Sequence, residues 1–183
     1  MKTLELKDIA AYLPYGLKVC HDKHIGPDTL FEMWFHPIKA DERIVCGVNS
    51  RMELSEIKPI LRPMSDLTKE ITHRGEKFAP LVELASILRP GFQWVLNEKG
   101  TGCINKKDSR YTFWFDGNAF FTRVFIPPFS KQLERVVIEP CDHIIAFDKL
   151  SEWMFDYRGL IPRGLALDVN TLDRNPYGTE RHD

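Results

Sequence analysis

The densest group of side chains able to do chemistry is Cys20-His21-Asp22-Lys23-His24, with His36 and Cys46 on the strands expected beside it. Zinc is held by about four thiolates and imidazoles in a tetrahedron, and Cys20, His24, His36 and Cys46 would supply that number. The spacing works against it. No C-x-x-C or H-x-x-x-H pair sets two ligands on one turn, and neighbours on a strand point to opposite faces. The same alternation denies Cys20 and His21 a nucleophile–base arrangement, which needs the base in hydrogen-bond reach and a third group orienting it. The segment reads as a strand end entering a solvated loop before Gly26-Pro27, and no metal is assigned. Cys141-Asp142-His143 opens the longest expected helix, where a helix N-terminus lowers a thiol pKa. Asp142 is more simply the N-cap, and Cys141 a core residue. Gly100-Thr101-Gly102-Cys103, with Lys99, Lys106 and Lys107, has the composition of a phosphate loop. It has neither the G-x-x-x-x-G-K-[ST] spacing nor a following helix, and reads as a β-turn. G-x-G-x-x-G, G-x-S-x-G and H-E-x-x-H do not occur. No catalytic residue and no cofactor is assigned, and the chain is read as a non-enzyme.

The remaining candidate is a ribbon of aromatics. Lys106, Lys107 and Arg110 lead into Tyr111, Phe113 and Phe115 on one strand face. Phe121, Arg123 and Phe125 share a face of the returning strand, and Trp114, Phe120, Val124 and Ile126 face the other way. Cations beside aromatics on a sheet are what single-stranded nucleic-acid platforms use, phosphates meeting the cations and bases stacking on the rings. Large aromatics usually serve as core, and a strand pair apolar on both faces fits burial on both sides. Lys106, Lys107, Arg110, Tyr111, Phe113 and Phe115 are the candidate binding residues, and exposure of the three rings decides between platform and core.

The elements that must position these residues lie between prolines, of which the chain has 12. Leu6, Ile9, Ala10 and Leu13 share one helical face, closed by Pro14 and Gly16. Strands are expected at Leu17–Cys20, Leu30–His36 and around Ile44, Cys46 and Val48, with an edge strand at Ile57–Leu61 because of Pro59. Ser65 is read as the N-cap of a helix to Ile71, and Pro80 as the first residue of a helix to Leu88. Strands follow at 92–97 and 101–105, then a hairpin of 111–115 and 120–126 about Asp116-Gly117-Asn118. Residues 141–158 form the best helix, with Ile144, Phe147, Leu150, Met154 and Tyr157 as its stripe. Gly159 stands at the left-handed C′ position, with Leu160 packing back in a Schellman arrangement. The polar tail from Asn170 is expected to fray. The fold class is α+β: a small N-terminal antiparallel sheet or SH3-like barrel (1–64), followed by an antiparallel sheet packed against two or three helices (65–183). Whether the two lobes share one core stays open.

Composition bounds the function classes. The 183 residues are 43% hydrophobic and 28% charged, which excludes disordered, collagen-like and disulfide-dense chains. Twenty-five Lys and Arg against 26 Asp and Glu leave a net charge of −1, so the overall balance gives nucleic acid no support as a partner and any such site must be a local patch. No apolar run approaches the ~20 residues of a membrane span. Glu5, Lys7 and Asp8 interrupt the apolar core a signal peptide needs, so a cytoplasmic location is expected, with the four scattered cysteines reduced.

Four stretches carry a resemblance: LELKDIAAYLPYGLK (4–18), EIKPILRPMSDLTKEI (56–71), RGEKFAPLV (74–82) and EWMFDYRGLIPRGLALDVNTL (152–172). Together they resemble an uncharacterised family of small bacterial proteins from prophage-like and other mobile-element neighbourhoods. Residues 83–151 have no counterpart in the resemblance, and Met154 stands where the family often has His. The family has no assigned activity, so no site residue is carried over. What it implies is context: a phage or mobile-element accessory protein working inside a bacterium. The expected function is a non-enzymatic protein that binds another protein, the alternative a single-stranded nucleic-acid-binding accessory using the aromatic hairpin.

Overall fold

A computed structural model describes residues 3–21, 30–34, 43–46, 50–126 and 135–178, with side chains described for 3–20, 54–125 and 137–178. The expected loop 22–29 and the segments 35–42 and 127–134, with His24, His36 and Pro127-Pro128, lie outside the described residues. The fold is α+β, with sheets of six, five and two strands among the described residues. Two units are distinguished by their internal packing. The first comprises 1–64, 73–75 and 150–183, and the second 65–72 and 76–149. Residues 150–183 belong to the first unit, their ties running to residues 12–18 and 60–62.

The first unit is a mainly antiparallel sheet. Its strands are β1 (Lys18–His21), β2 (Leu30–Trp34), β3 (Arg43–Cys46), β4 (Ser50–Glu53), β5 (Ile57–Leu61) and β13 (Leu167–Asp168), in the order β13-β5-β1-β2-β3-β4. The outer strands do not pair with each other among the described residues, so it is an open sheet and not a closed barrel. β5 is interior rather than an edge. Pro59 is tolerated because the parallel strand β13 meets only Ile60 and Leu61 and stops short of it. The N-terminal helix is a single α-turn, α1 (Leu6–Ile9), held by reciprocal bonds between Glu5 and Asp8, and it continues as a 3-10 turn, Ala10–Tyr15. That turn carries Tyr12 into the core, where its hydroxyl donates to the Phe155 carbonyl at 2.9 Å and burial raises its pKa.

Long-range polar ties hold this sheet. The buried Arg62 donates its backbone N–H to the Met154 carbonyl and its Nε to that of Trp153, while its own carbonyl accepts from Asp156 N–H. The Asp156 carboxylate accepts from the N–H groups of Leu160 and Ile161, both at 2.7 Å. The expected frayed tail is anchored. The Tyr177 hydroxyl donates to Ile60 O at 2.8 Å and accepts from Lys18 N–H at 3.0 Å, bridging β5 and the start of β1.

The second unit is an antiparallel meander: β8 (Trp94–Leu96), β9 (Cys103–Asn105), β10 (Tyr111–Phe115), β11 (Phe120–Ile126) and β12 (Arg135–Pro140), each strand bonded to its neighbours in the chain. Helix α2 (Pro80–Leu88) starts on Pro80 as expected and buries Leu81, Leu84 and Ala85. Helix α3 runs from His143 to Glu152, with Asp142 capping the N–H groups of Ile144 and Ile145. It ends earlier than its pattern suggested. Met154 takes the left-handed conformation (φ 62°), with Phe155 N–H bonded to Leu150 O and Met154 N–H to Ser151 O, which is the Schellman arrangement five residues before Gly159. A left-handed non-glycine costs about 1–2 kcal/mol. It is held because Arg62 pins the backbone on both sides of Met154 and both Met154 and Phe155 are fully buried. The expected helix at 65–71 is instead a 3-10 turn, Met64–Thr68, in which buried Asp66 takes an ion pair from Lys69, followed by the β6 (Ile71–His73) and β7 (Glu76–Phe78) ribbon.

Candidate functional site

Among the residues whose side chains are described, the reactive groups are dispersed. Cys20 is buried on β1, and β2 lies between that strand and β3, which ends at Cys46. Cys103 is buried on β9, and burial pushes its thiol up to about 12, far from nucleophilic character. Cys141 is buried with Sγ 3.4 Å from Thr122 Oγ1, while His143 projects into solvent. Among the described residues no group of three or more His, Cys, Asp and Glu is placed to hold a metal ion. The glycine-rich turn 97–102 leads from β8 into β9. A side chain at Gly102 would meet Phe113 O at 2.8 Å and Trp114 Cβ at 3.2 Å, so glycine is required there by the close approach of β10.

The aromatic ribbon is organised by one fact of register. Tyr111 faces Val124, Phe113 faces Thr122, Trp114 faces Phe121 and Phe115 faces Phe120. The loop therefore has four residues, Asp116 to Ala119, with the Asp116 carboxylate accepting from Asn118 and Ala119 N–H and held below its ordinary pKa by those bonds. The grouping expected from the sequence is one residue out of step, and a slip of one exchanges the faces of a whole strand. Phe120 and Val124 stand with Tyr111, Phe113 and Phe115. Trp114 stands with Phe121 and Arg123.

The first group faces the helices and forms the core. Phe113 is fully buried, 6.1 Å from Trp94 and 5.8 Å from Phe120. Tyr111 is half-buried against Phe92 at 4.8 Å, and Phe115 against Phe120 at 4.6 Å. Phe120 meets Phe147 of α3, and the end of α2 closes over the same face through Arg89 Nε to Thr122 Oγ1 at 3.0 Å. Lys106, Lys107 and Arg110 sit in solvent in the β9–β10 connection, Arg110 forked onto the carboxylate of Asp108 within the same turn. The structure therefore does not bring the six candidate residues together: the cations are in solvent and the rings point into the helix-covered face.

The described contacts of α2 and α3 with the sheet lie on that face, and the opposite face is a separate set of strand positions. Along it run Val95, Ile104, Thr112, Trp114, Phe121, Arg123, Phe125, Ile138 and Pro140, of which Val95, Arg123, Ile138 and Pro140 are exposed and the others half-buried. Trp114 stacks on Phe121 with ring centroids 5.5 Å apart, and the Arg123 guanidinium lies 5.1 Å from the indole centroid. No Asp or Glu occurs among these positions, and Arg123 is their one charge. The signal that could have found this face is the number of loop residues between Phe115 and Phe120. Comparison of the chain with protein-family models, with curated proteins and with solved structures gives no match.

Proposed function

We propose that the protein is a non-catalytic binding protein that engages another protein through the face of its five-stranded sheet opposite the α2 and α3 contacts. The observation that carries this reading is the composition of that face: an antiparallel sheet usually turns a polar face to water, and this one presents Val95, Ile104, Trp114, Phe121 and Ile138 around a single arginine. Aromatics with arginine, and without carboxylates, are the composition of protein-interface cores. A nucleic-acid strand would require several cations to neutralise its phosphates, and these strand positions offer one. Buried thiols at Cys20, Cys103 and Cys141 support a role without covalent chemistry. The resemblance of residues 4–18, 56–71, 74–82 and 152–172 to mobile-element proteins supports an accessory role inside a bacterial cell.

The test is capture from bacterial host cells with the wild-type chain, Trp114→Glu and Phe121→Ser, each with and without nuclease. The substitutions lie on a half-exposed face, so the fold is kept and circular dichroism checks it. A protein recovered by the wild-type chain, insensitive to nuclease and lost with both variants, is the expected result. Recovery that disappears under nuclease, or that survives both substitutions, overturns the reading.

A further inference from the structure

The last strand of the meander, β12, is bonded to β11 on one side, and among the described residues nothing pairs with its other edge. Exposed edges are normally blunted by charges or proline because their unpaired N–H and C=O groups are a template for another strand. Here the middle of the edge is apolar. Of the six exposed large hydrophobic side chains among the described residues, four lie between residues 137 and 145: Val137 (38% exposed), Ile138 (52%), Ile144 (84%) and Ile145 (44%).

The ladder fixes which groups are free. Cys141 N–H donates to Phe120 O at 3.0 Å, and hydrogen-bonded pairs alternate along an antiparallel ladder. Arg135, Val137 and Glu139 therefore bond toward β11, and Val136 and Ile138 turn their N–H and C=O groups outward. Pro140 has no N–H to offer and ends the template. The sequence of the edge, Arg135-Val136-Val137-Ile138-Glu139, is complementary to itself when reversed. We infer that a second copy of this chain pairs with β12, antiparallel, about a two-fold axis at Val137. That register sets Arg135 opposite Glu139 of the other copy, whose carboxylate also accepts from Arg89 of its own chain at 3.1 Å, and Val136 opposite Ile138. Both of the latter pairs exchange N–H and C=O, so the outward groups of Val136 and Ile138 are satisfied on each copy. Shifting by one residue sets inward-bonded positions against outward ones. Centring on Ile138 sets Pro140 against Val136 and loses a donor. An isologous contact of this kind closes at two copies and joins both meanders into one sheet.

This inference does not depend on the outer-face reading, since Trp114→Glu leaves the edge unchanged. The experiment is sedimentation velocity of the full chain at ~1 to ~100 μM, a range that captures association constants expected of small specific contacts. The expected result is a concentration-dependent dimer. Ile138→Pro, which removes an outward N–H without touching the β11 ladder, yields a monomer with unchanged circular dichroism. Arg135→Glu and Glu139→Arg each weaken the dimer ~tenfold or more by setting like charges opposite one another. Mixing these two single variants restores a dimer, because each supplies the charge the other lacks, and a merely structural role for either residue would not produce that rescue. A wild-type chain that stays monomeric across the range overturns the inference. So does a dimer indifferent to Ile138→Pro, or one that the mixture fails to restore.

Discussion

The two units hold their sheets together by different means. In the first, a few polar ties connect residues far apart in the chain: Tyr12 to Phe155 across 143 positions, Tyr177 to Lys18 across 159 and to Ile60 across 117. In the second, every strand pairs with its neighbour in the chain, and a continuous set of rings from Phe92 to Phe147 fills the space under the helices. The first design concentrates stability in single atoms whose loss leaves buried groups unpaired. The second spreads it over apolar area, where the loss is proportional to the volume removed.

The largest expected effect lies in the second unit. Phe113→Ala removes a fully buried ring flanked by Trp94 and Phe120 and should cost about 3–5 kcal/mol, read as a shifted denaturant midpoint. A cost under about 1 kcal/mol would mean the rings are interchangeable filling, and the comparison would break. Next is acid sensitivity in the first unit. His73 is buried beside the Tyr177 ring, neither of its ring nitrogens has a hydrogen-bond partner, and burial with the nearby Arg62 and Arg74 charges lowers its pKa to about 4. Between that value and the ordinary 6.5, the unfolded chain holds a proton that the folded chain lacks. Stability therefore falls as pH drops through this window, by about 3 kcal/mol in all, and His73→Phe should flatten that part of the pH profile. Tyr177→Phe comes third. It deletes one oxygen, strands Lys18 N–H and Ile60 O, and should cost about 2 kcal/mol, with faster amide exchange in β1 and β5 and unchanged exchange in β9 to β11. Equal acceleration in both sheets would show that the units do not differ in the way described. The smallest effect belongs to Arg123→Ala. It removes an exposed cation over Trp114 and should change stability by about 0.5 kcal/mol or less, leaving the thermal midpoint nearly unmoved.

The same contrast decides what could be read from the sequence. In the second unit most local signals held, the exception being Ser65, where the expected helix is a 3-10 turn. Pro80 opened α2, Asp142 capped α3, and Asp116-Gly117 marked the hairpin. What failed there was register: strands 111–115 and 120–126 are apolar on both faces, so alternation alone cannot choose between a three- and a four-residue loop. The face grouping of the aromatic ribbon changes with it. Tyr111, Phe113 and Phe115 share a face as expected, but with Phe120 and Val124 rather than with Phe121 and Arg123, and Trp114, expected on the face of Phe120, stands instead with Phe121 and Arg123. In the first unit the misses were of long range. Nothing near Met154 announces a left-handed residue, because the partner that imposes it is Arg62. Nothing in a tail rich in Asn, Asp and Arg announces that Tyr177 is a fastener, because the groups it joins lie at positions 18 and 60. β13, two residues long, has no pattern to detect.

The Tyr177 hydroxyl has a consequence for synthesis on the ribosome. The sheet that begins at Lys18 cannot receive its last fastening until residue 177 has left the exit tunnel, whereas the meander between 94 and 140 has all its pairing partners well before then. The portion of the chain translated first is thus completed last. In the interval β1 and β5 wait with a donor at Lys18 and an acceptor at Ile60 still open to water or to a chaperone.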